Sequence, residues 1–422
     1  MDLVGTPYIP GRGRGRISYR APEDPSGRVL VLRQKDLASL GREALPAALV
    51  MLDGAPLAHP LIRLFDFGVP VVLLDAAQVA ALPEGREAVV DGTLGRVADP
   101  GWLPGPAEGP ATPPAHEGTV RTADGIPVDL GASVGGPGAA RRARENGAGA
   151  IGLLRSEYLH AEEAGTPDAI RYREALRDVL ELARPLPVTV RLPDLAPDKA
   201  VQWRPSAAQS GPLGLRGARL YAYEPVRSAC RAEARALGDL ARDFPLAVLV
   251  PFLTEVAELR RLRRELADEL PDDLPVGAML ETPAAAQEIA AFLKEGDHAA
   301  IGCNDLMQGL FAADRDLPEV ASLLDPYSPV TFRFLRGVAE SAGAGIGRVT
   351  VCGLLPQMPG LLPVLLGLGF RAFSVEPAML PRLAGEVAAT SGARAGEQAA
   401  AVCRAADAAE VRAVLGIGER SP

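Results

Sequence analysis

Eight short apolar runs separated by helix-length intervals constrain the fold of this chain more than any other feature. They are Val128–Leu130, Ala150–Leu154, Val188–Leu192, Ala247–Phe252, Val276–Leu280, Ala299–Gly302, Val349–Val351 and Ala372–Val375. Most of the intervals carry helical spacing. Val256, Leu259, Leu262, Leu266 and Leu270 recur at steps of three and four, one stripe of an amphipathic helix. Arg260, Arg261, Arg263, Arg264 and Glu265 form its solvated face. Strand and helix alternating eight times predict an α/β chain with a (β/α)8 barrel.

Ahead of the barrel, six prolines between Pro100 and Pro114 sit among glycines. Such a stretch is neither an interior helix nor a central strand and reads as a semi-extended linker. Three regions follow: a first domain over residues 1–99, a linker over 100–125, and a barrel over 126–422 that closes with a C-terminal helix. The first domain holds strand-like runs at Arg28–Leu32, Ala48–Leu52, Val69–Leu74 and Ala88–Val90, with helical spacing between them. A small β/α unit is expected there.

Composition narrows the function classes. A net charge of −9 argues against a nucleic-acid binder, whose footprint is usually basic. No apolar run reaches the roughly 20 residues of a membrane span. Residues Met1–Arg20 lack the apolar core of a secretory signal. Four cysteines without a CxxC pair give neither a disulfide framework nor a zinc site, so a cytoplasmic, reducing setting is expected.

Catalytic groups in such barrels lie just past the C-terminal ends of the strands. Those positions hold Arg155, Arg191, Glu281, Asn304, Asp305 and Cys352. Guanidinium forks bind phosphate or carboxylate in two-pronged fashion. One or two carboxylates beside a phosphorylated ligand suit Mg²⁺. The residues therefore predict a metal-dependent enzyme acting on a small anionic phosphate compound.

Several segments carry a resemblance. They are Asn146-Gly-Ala-Gly-Ala-Ile-Gly-Leu-Leu-Arg-Ser-Glu-Tyr-Leu159, Leu280-Glu-Thr-Pro-Ala-Ala-Ala286, Ile301-Gly-Cys-Asn-Asp-Leu-Met-Gln308, Ala313-Asp-Arg-Asp316, and Val351-Cys-Gly353 followed by Leu365-Leu-Gly-Leu-Gly-Phe370. In this order they resemble the phosphoenolpyruvate (PEP)-utilising enzymes: enzyme I of the sugar phosphotransferase system, PEP synthase and pyruvate phosphate dikinase. Enzyme I is the nearest of the three. The resemblance implies that Arg155, Arg191 and Arg315 surround the PEP phosphoryl group. Arg216, in Pro212-Leu-Gly-Leu-Arg-Gly-Ala218, is implied as a further active-site arginine. Glu281 and Asp305 would hold Mg²⁺, Asn304 would contact PEP, and Cys352 would deliver a proton to the enolate as pyruvate forms.

The first domain resembles the family's swivelling phosphohistidine domain in three places. Gly5-Thr-Pro-Tyr-Ile-Pro-Gly-Arg-Gly-Arg-Gly15 matches its opening strand and turn. Leu57-Ala-His-Pro-Leu-Ile-Arg63 with Phe67-Gly-Val-Pro-Val-Val72 matches the histidine segment, and Asp91-Gly-Thr-Leu-Gly-Arg-Val97 its closing strands. His59 is implied as the phosphoryl carrier, placed at a helix start by Pro60. The family's carrier-binding helical insertion is absent between Gly15 and His59. A phosphocarrier protein or nucleotide-binding partner is therefore expected in trans, and a homodimer is expected from the relatives' barrels. Two other readings stay open: a barrel-only enzyme acting on PEP or a related phosphonate or carboxylate without His59, and a catalytically silent PEP-binding regulatory protein.

Overall fold

The structure is a computed structural model that describes residues 2–39, 45–52, 56, 59–62, 64–101, 119–160, 165–195 and 213–417. The chain divides into two compact units. One comprises Met1–Pro114, Arg315–Leu324 and Gly416–Pro422; the other comprises Ala115–Asp314 and Asp325–Leu415. Most of the proline-rich linker, residues 102–118, lies outside the described residues.

The first unit holds strands β1 (Asp2–Val4), β2 (Thr6–Ile9), β3 (Arg12–Ser18), β4 (Arg28–Arg33), β5 (Ala48–Leu52), β6 (Val71–Leu74), β7 (Glu87–Asp91) and β8 (Arg96–Ala98). They form one sheet in the order β1-β8-β7-β3-β4-β5-β6-β2. Its centre, β3 to β6, is parallel, and the flanking pairs are antiparallel. All five residues of β5 are buried, as expected of a central parallel strand. The Arg-Gly alternation expected as a turn lies within β3. A Cβ at Gly13 would stand 1.9 Å from the Ala47 carbonyl oxygen, and one at Gly15 would stand 2.4 Å from that of Gly27. Only glycine permits that approach. Arg12 and Arg14 pair across the sheet with Asp91 and Glu87, at 2.6 and 2.9 Å. His59 opens a one-turn helix, His59–Ile62, between β5 and β6.

The second unit begins with β9 (Thr119–Arg121), which pairs antiparallel with β10 (Pro127–Val134). Within the expected linker, Thr119–Arg121 thus form an edge strand on the barrel unit. The barrel continues through β11 (Ile151–Arg155), β12 (Val188–Arg191), β13 (Leu246–Val250), β14 (Val276–Leu280), β15 (Ala299–Gly302), β16 (Val349–Cys352) and β17 (Ala372–Val375). Each strand runs parallel to the next, and β10 pairs with both β11 and β17. The barrel is therefore a closed ring of eight parallel strands. Leu153, Leu249, Met279, Ala300 and Cys352 pack together in its interior.

Two expectations change at the edges. β13 stops at Val250, short of the expected Phe252, because Phe252 takes a left-handed backbone, φ 52°, and leaves the ladder. The arginine-rich helix runs Val256–Glu265, so Leu266 and Leu270 lie beyond it. Both are still buried, through turns that close with a Leu270 N–H to Leu266 carbonyl bond.

Candidate active site at the barrel mouth

The site is built at the C-terminal strand ends. Arg155 is the last residue of β11 and Arg191 the last of β12. Glu281 follows β14 directly, and Cys352 ends β16. Asn304 and Asp305 lie in the first turn of the helix Cys303–Phe311, immediately after β15.

Arg191 is buried and faces three carboxylates. It pairs with Glu157, with Asp194 at 3.3 Å and with Glu281 at 3.5 Å. Burial alone lowers its pKa, but these three charges outweigh burial and raise it above the ordinary arginine value. Arg216 forms a fork on Asp305, Nη1 to Oδ1 at 2.8 Å and Nη2 to Oδ2 at 3.1 Å, and its Nη2 also reaches Asp194 at 3.2 Å. Its guanidinium lies 4.5 Å from the Phe252 ring centroid. Gly217, at φ 51°, lets the chain pass here, since a Cβ would stand 2.6 Å from that of Phe252.

Glu281 accepts a hydrogen bond from the Phe252 N–H at 2.9 Å. Its pKa is pushed up to about 7, first by burial and then by the charges of Asp305 and Asp194, against the opposing pull of Arg191. Gly302 makes room for it: a Cβ there would stand 2.6 Å from Glu281 Cγ. The Cys352 thiol is pushed up to about 12, mainly by burial and then by Glu281. It stays protonated at neutral pH, so a proton is available to give. Asn304 braces the turn after that cysteine, its Oδ1 accepting from the Leu354 N–H at 3.0 Å.

Arg191, Arg216, Glu281 and Asp305 are thus brought into one ion-pair network, with Asp194 and Glu157 joining it. Arg155 pairs instead with Glu376 at 3.4 Å, and its guanidinium lies 5.6 Å from the Tyr158 ring. Arg315 is buried, in the segment that groups with the first unit. Sequence reasoning misses Glu157, Asp194 and Glu376 as site residues. Glu376 had a usable signal, since it directly follows β17 as Glu281 follows β14.

The rim residues fit a divalent cation by donor chemistry and by charge. Three guanidiniums, of Arg155, Arg191 and Arg216, meet five carboxylates, of Glu157, Asp194, Glu281, Asp305 and Glu376. The formal excess is two negative charges. Among the described residues no three His, Cys, Asp or Glu side chains converge as a preformed metal nest. Two carboxylates completed by substrate oxygens is, however, the usual protein share in a Mg²⁺ site.

A closed ring of eight parallel strands with a charged rim at its C-terminal end places the chain among the (β/α)8 barrel proteins. Residues 115–391 match the family described as PEP-utilising enzyme, PEP-binding domain, and the chain belongs to the PEP-utilising enzymes. It is 34% identical over 424 residues to the phosphoenolpyruvate-protein phosphotransferase of Streptomyces coelicolor, covering 97% of this chain and 73% of that one. It is 32% identical over 373 residues to the multiphosphoryl transfer protein of Xanthomonas campestris pv. campestris, covering 83% of this chain and 43% of that one. The phosphoenolpyruvate-protein phosphotransferase of Bacillus subtilis is 30% identical over 370 residues, 82% of this chain and 64% of that one. The chain therefore spans between 43% and 73% of the length of these relatives. Among the described residues no helix is long and apolar enough to cross a membrane.

Proposed function

We propose that the protein is a Mg²⁺-dependent phosphotransferase that moves the phosphoryl group of PEP to His59 and releases pyruvate. The observation that carries this reading is the convergence of the Arg191–Glu281 and Arg216–Asp305 pairs, through Asp194, at the strand ends where Cys352 closes β16. The arginines bind the anionic oxygens of PEP, with Arg155 and Arg315 completing the set and Asn304 contacting the substrate. Glu281 and Asp305 would hold Mg²⁺, which when bound would offset charge on the phosphoryl oxygens, the main demand of this chemistry.

An imidazole nitrogen of His59 forms the new P–N bond while the P–O bond to the enol oxygen breaks and its electrons stay on the enolate. Cys352 protonates the C3 carbon of that enolate, and the thiolate regains its proton from solvent. The phosphoryl group passes between His59 and a partner in trans, a phosphocarrier protein or a nucleotide-binding protein. A homodimer in a cytoplasmic setting completes the proposal.

Pyruvate release from PEP and Mg²⁺ tests the reading. The unmodified protein should release pyruvate, and Arg191→Ala and Glu281→Gln proteins should lose at least about 10²-fold, as expected when a group that stabilises transition-state charge is removed. Equal turnover in all three would refute it.

A further inference from the structure

The pairing of Arg155 with Glu376 has a consequence for how substrate is held. Arg155 closes β11, and Glu376 follows β17, on the opposite side of β10 in the ring. The two charges stand 3.4 Å apart at the barrel mouth, with side-chain exposures of 17% and 9%.

Glu376 is also held in place. Its N–H donates to Gln357 Oε1 at 3.1 Å, and Gln357 Nε2 donates to the Gly353 carbonyl at 2.8 Å. Arg382 Nη2 donates to the Gln357 carbonyl at 2.5 Å. Asn146 Nδ2 donates to the carbonyl of the next residue, Pro377, at 2.9 Å. The backbone that carries Glu376 is therefore fixed from both sides.

We infer that Glu376 is an affinity-setting residue: it occupies Arg155 in the free protein, and the anionic substrate must displace it. The inference rests on the proposed function for the identity of the substrate, but its physical content is independent of it. A carboxylate beside Arg155 competes with a second anion for the charge of the same guanidinium, and it faces that anion as a like charge. Like charges at close range across a contact are strongly unfavourable. Glu376 thus lowers the hold of Arg155 on substrate and, by the same balance, lets the anion leave.

The sign of this effect is the opposite of what a bracing role would give. If Glu376 only oriented Arg155, neutralising it would weaken binding. If it competes, neutralising it tightens binding.

The experiment is calorimetric titration of the full chain with PEP and, separately, with inorganic phosphate, in the presence of Mg²⁺. The proteins are wild type, Glu376→Gln, Arg155→Ala and the variant carrying both changes, with Glu376→Asp held ready should the glutamine variant not fold. A shorter aspartate also withdraws the carboxylate. We expect Glu376→Gln to bind PEP and phosphate roughly tenfold more tightly, with a matching fall in KM, and Arg155→Ala to abolish the gain when combined with it. Unchanged or weaker binding in Glu376→Gln, with normal PEP turnover by the wild type, would overturn the inference and leave the proposed function standing. Tighter phosphate binding in a protein that does not turn over PEP would do the reverse. Failure of both anions to bind any of the proteins would overturn both.

Discussion

Arg216 holds Asp305 with both of its terminal nitrogens, at 2.8 and 3.1 Å, and reaches Asp194 with one of them at 3.2 Å. This one guanidinium ties the strand ends of β12 and β15 together. Removing it takes the guanidinium fork from Asp305 and leaves Asp194 with Arg191 alone, and breaking such a buried pair costs about 3–5 kcal/mol. Arg216→Ala should lower both thermal stability and PEP turnover. Arg216→Lys should restore part of the stability but little turnover, because a point charge cannot reproduce the fork. Melting temperature and pyruvate release, measured side by side, check this.

The Cys352 thiol, pushed up to about 12, should behave as an acid and not as a nucleophile. Iodoacetamide at pH 8 should leave it unmodified in the folded protein, as read by mass spectrometry of the peptide. Cys352→Ala should slow carbon protonation by about 10²–10⁴-fold while phosphoryl transfer persists. Rapid alkylation, or unchanged pyruvate formation, would contradict the assignment.

Glu233, behind the Arg191–Glu157 pair, offers a pH test read as stability. It is fully buried on the helix Val226–Leu240. Burial holds its carboxyl well above the ordinary range, and Glu157 adds to the rise. A raised folded-state pKa means that its contribution is intact below the unfolded value, near 4.5, and is lost as pH climbs from there through the folded value. Wild-type stability should therefore fall relative to Glu233→Gln as pH rises from 5 to 8. At pH 8 the variant should melt higher by about 2–4 °C. A constant difference across that range would show that Glu233 does not titrate in this way.

Chelation tests the metal assignment. Treatment with EDTA should abolish pyruvate release, and added Mg²⁺ should restore it. In Glu281→Gln and Asp305→Asn proteins the Mg²⁺ concentration for half-maximal rate should rise by at least about tenfold, consistent with the loss of one of two carboxylate ligands. Full activity in EDTA would remove Mg²⁺ from the proposal.

The barrel is legible in the sequence because strands buried on both faces read as near-continuous apolar runs. Val276–Leu280, Ala299–Gly302 and Ala372–Val375 coincide with β14, β15 and β17 to the residue. The strand ends then point to Arg191, Glu281, Asp305 and Cys352, because in a barrel those ends share one rim. What pairs with what is not legible. Arg155 and Glu376 are 221 positions apart and meet only because β11 and β17 both flank β10. Glu157 and Asp194 read as ordinary loop acids until Arg191 is seen between them. β3 is hidden for a different reason: its glycines respond to the Ala47 and Gly27 backbones, which no local pattern announces.

The central claim is that the barrel mouth passes a phosphoryl group to His59. Intact-mass measurement after incubation with PEP and Mg²⁺, beside the His59→Ala protein and with pyruvate assayed in the same tubes, tests it most directly. An acid-labile gain of about 80 Da, one phosphoryl group, is expected in the unmodified protein alone, together with pyruvate. Pyruvate release with no such gain, or an equal gain in His59→Ala, would contradict it.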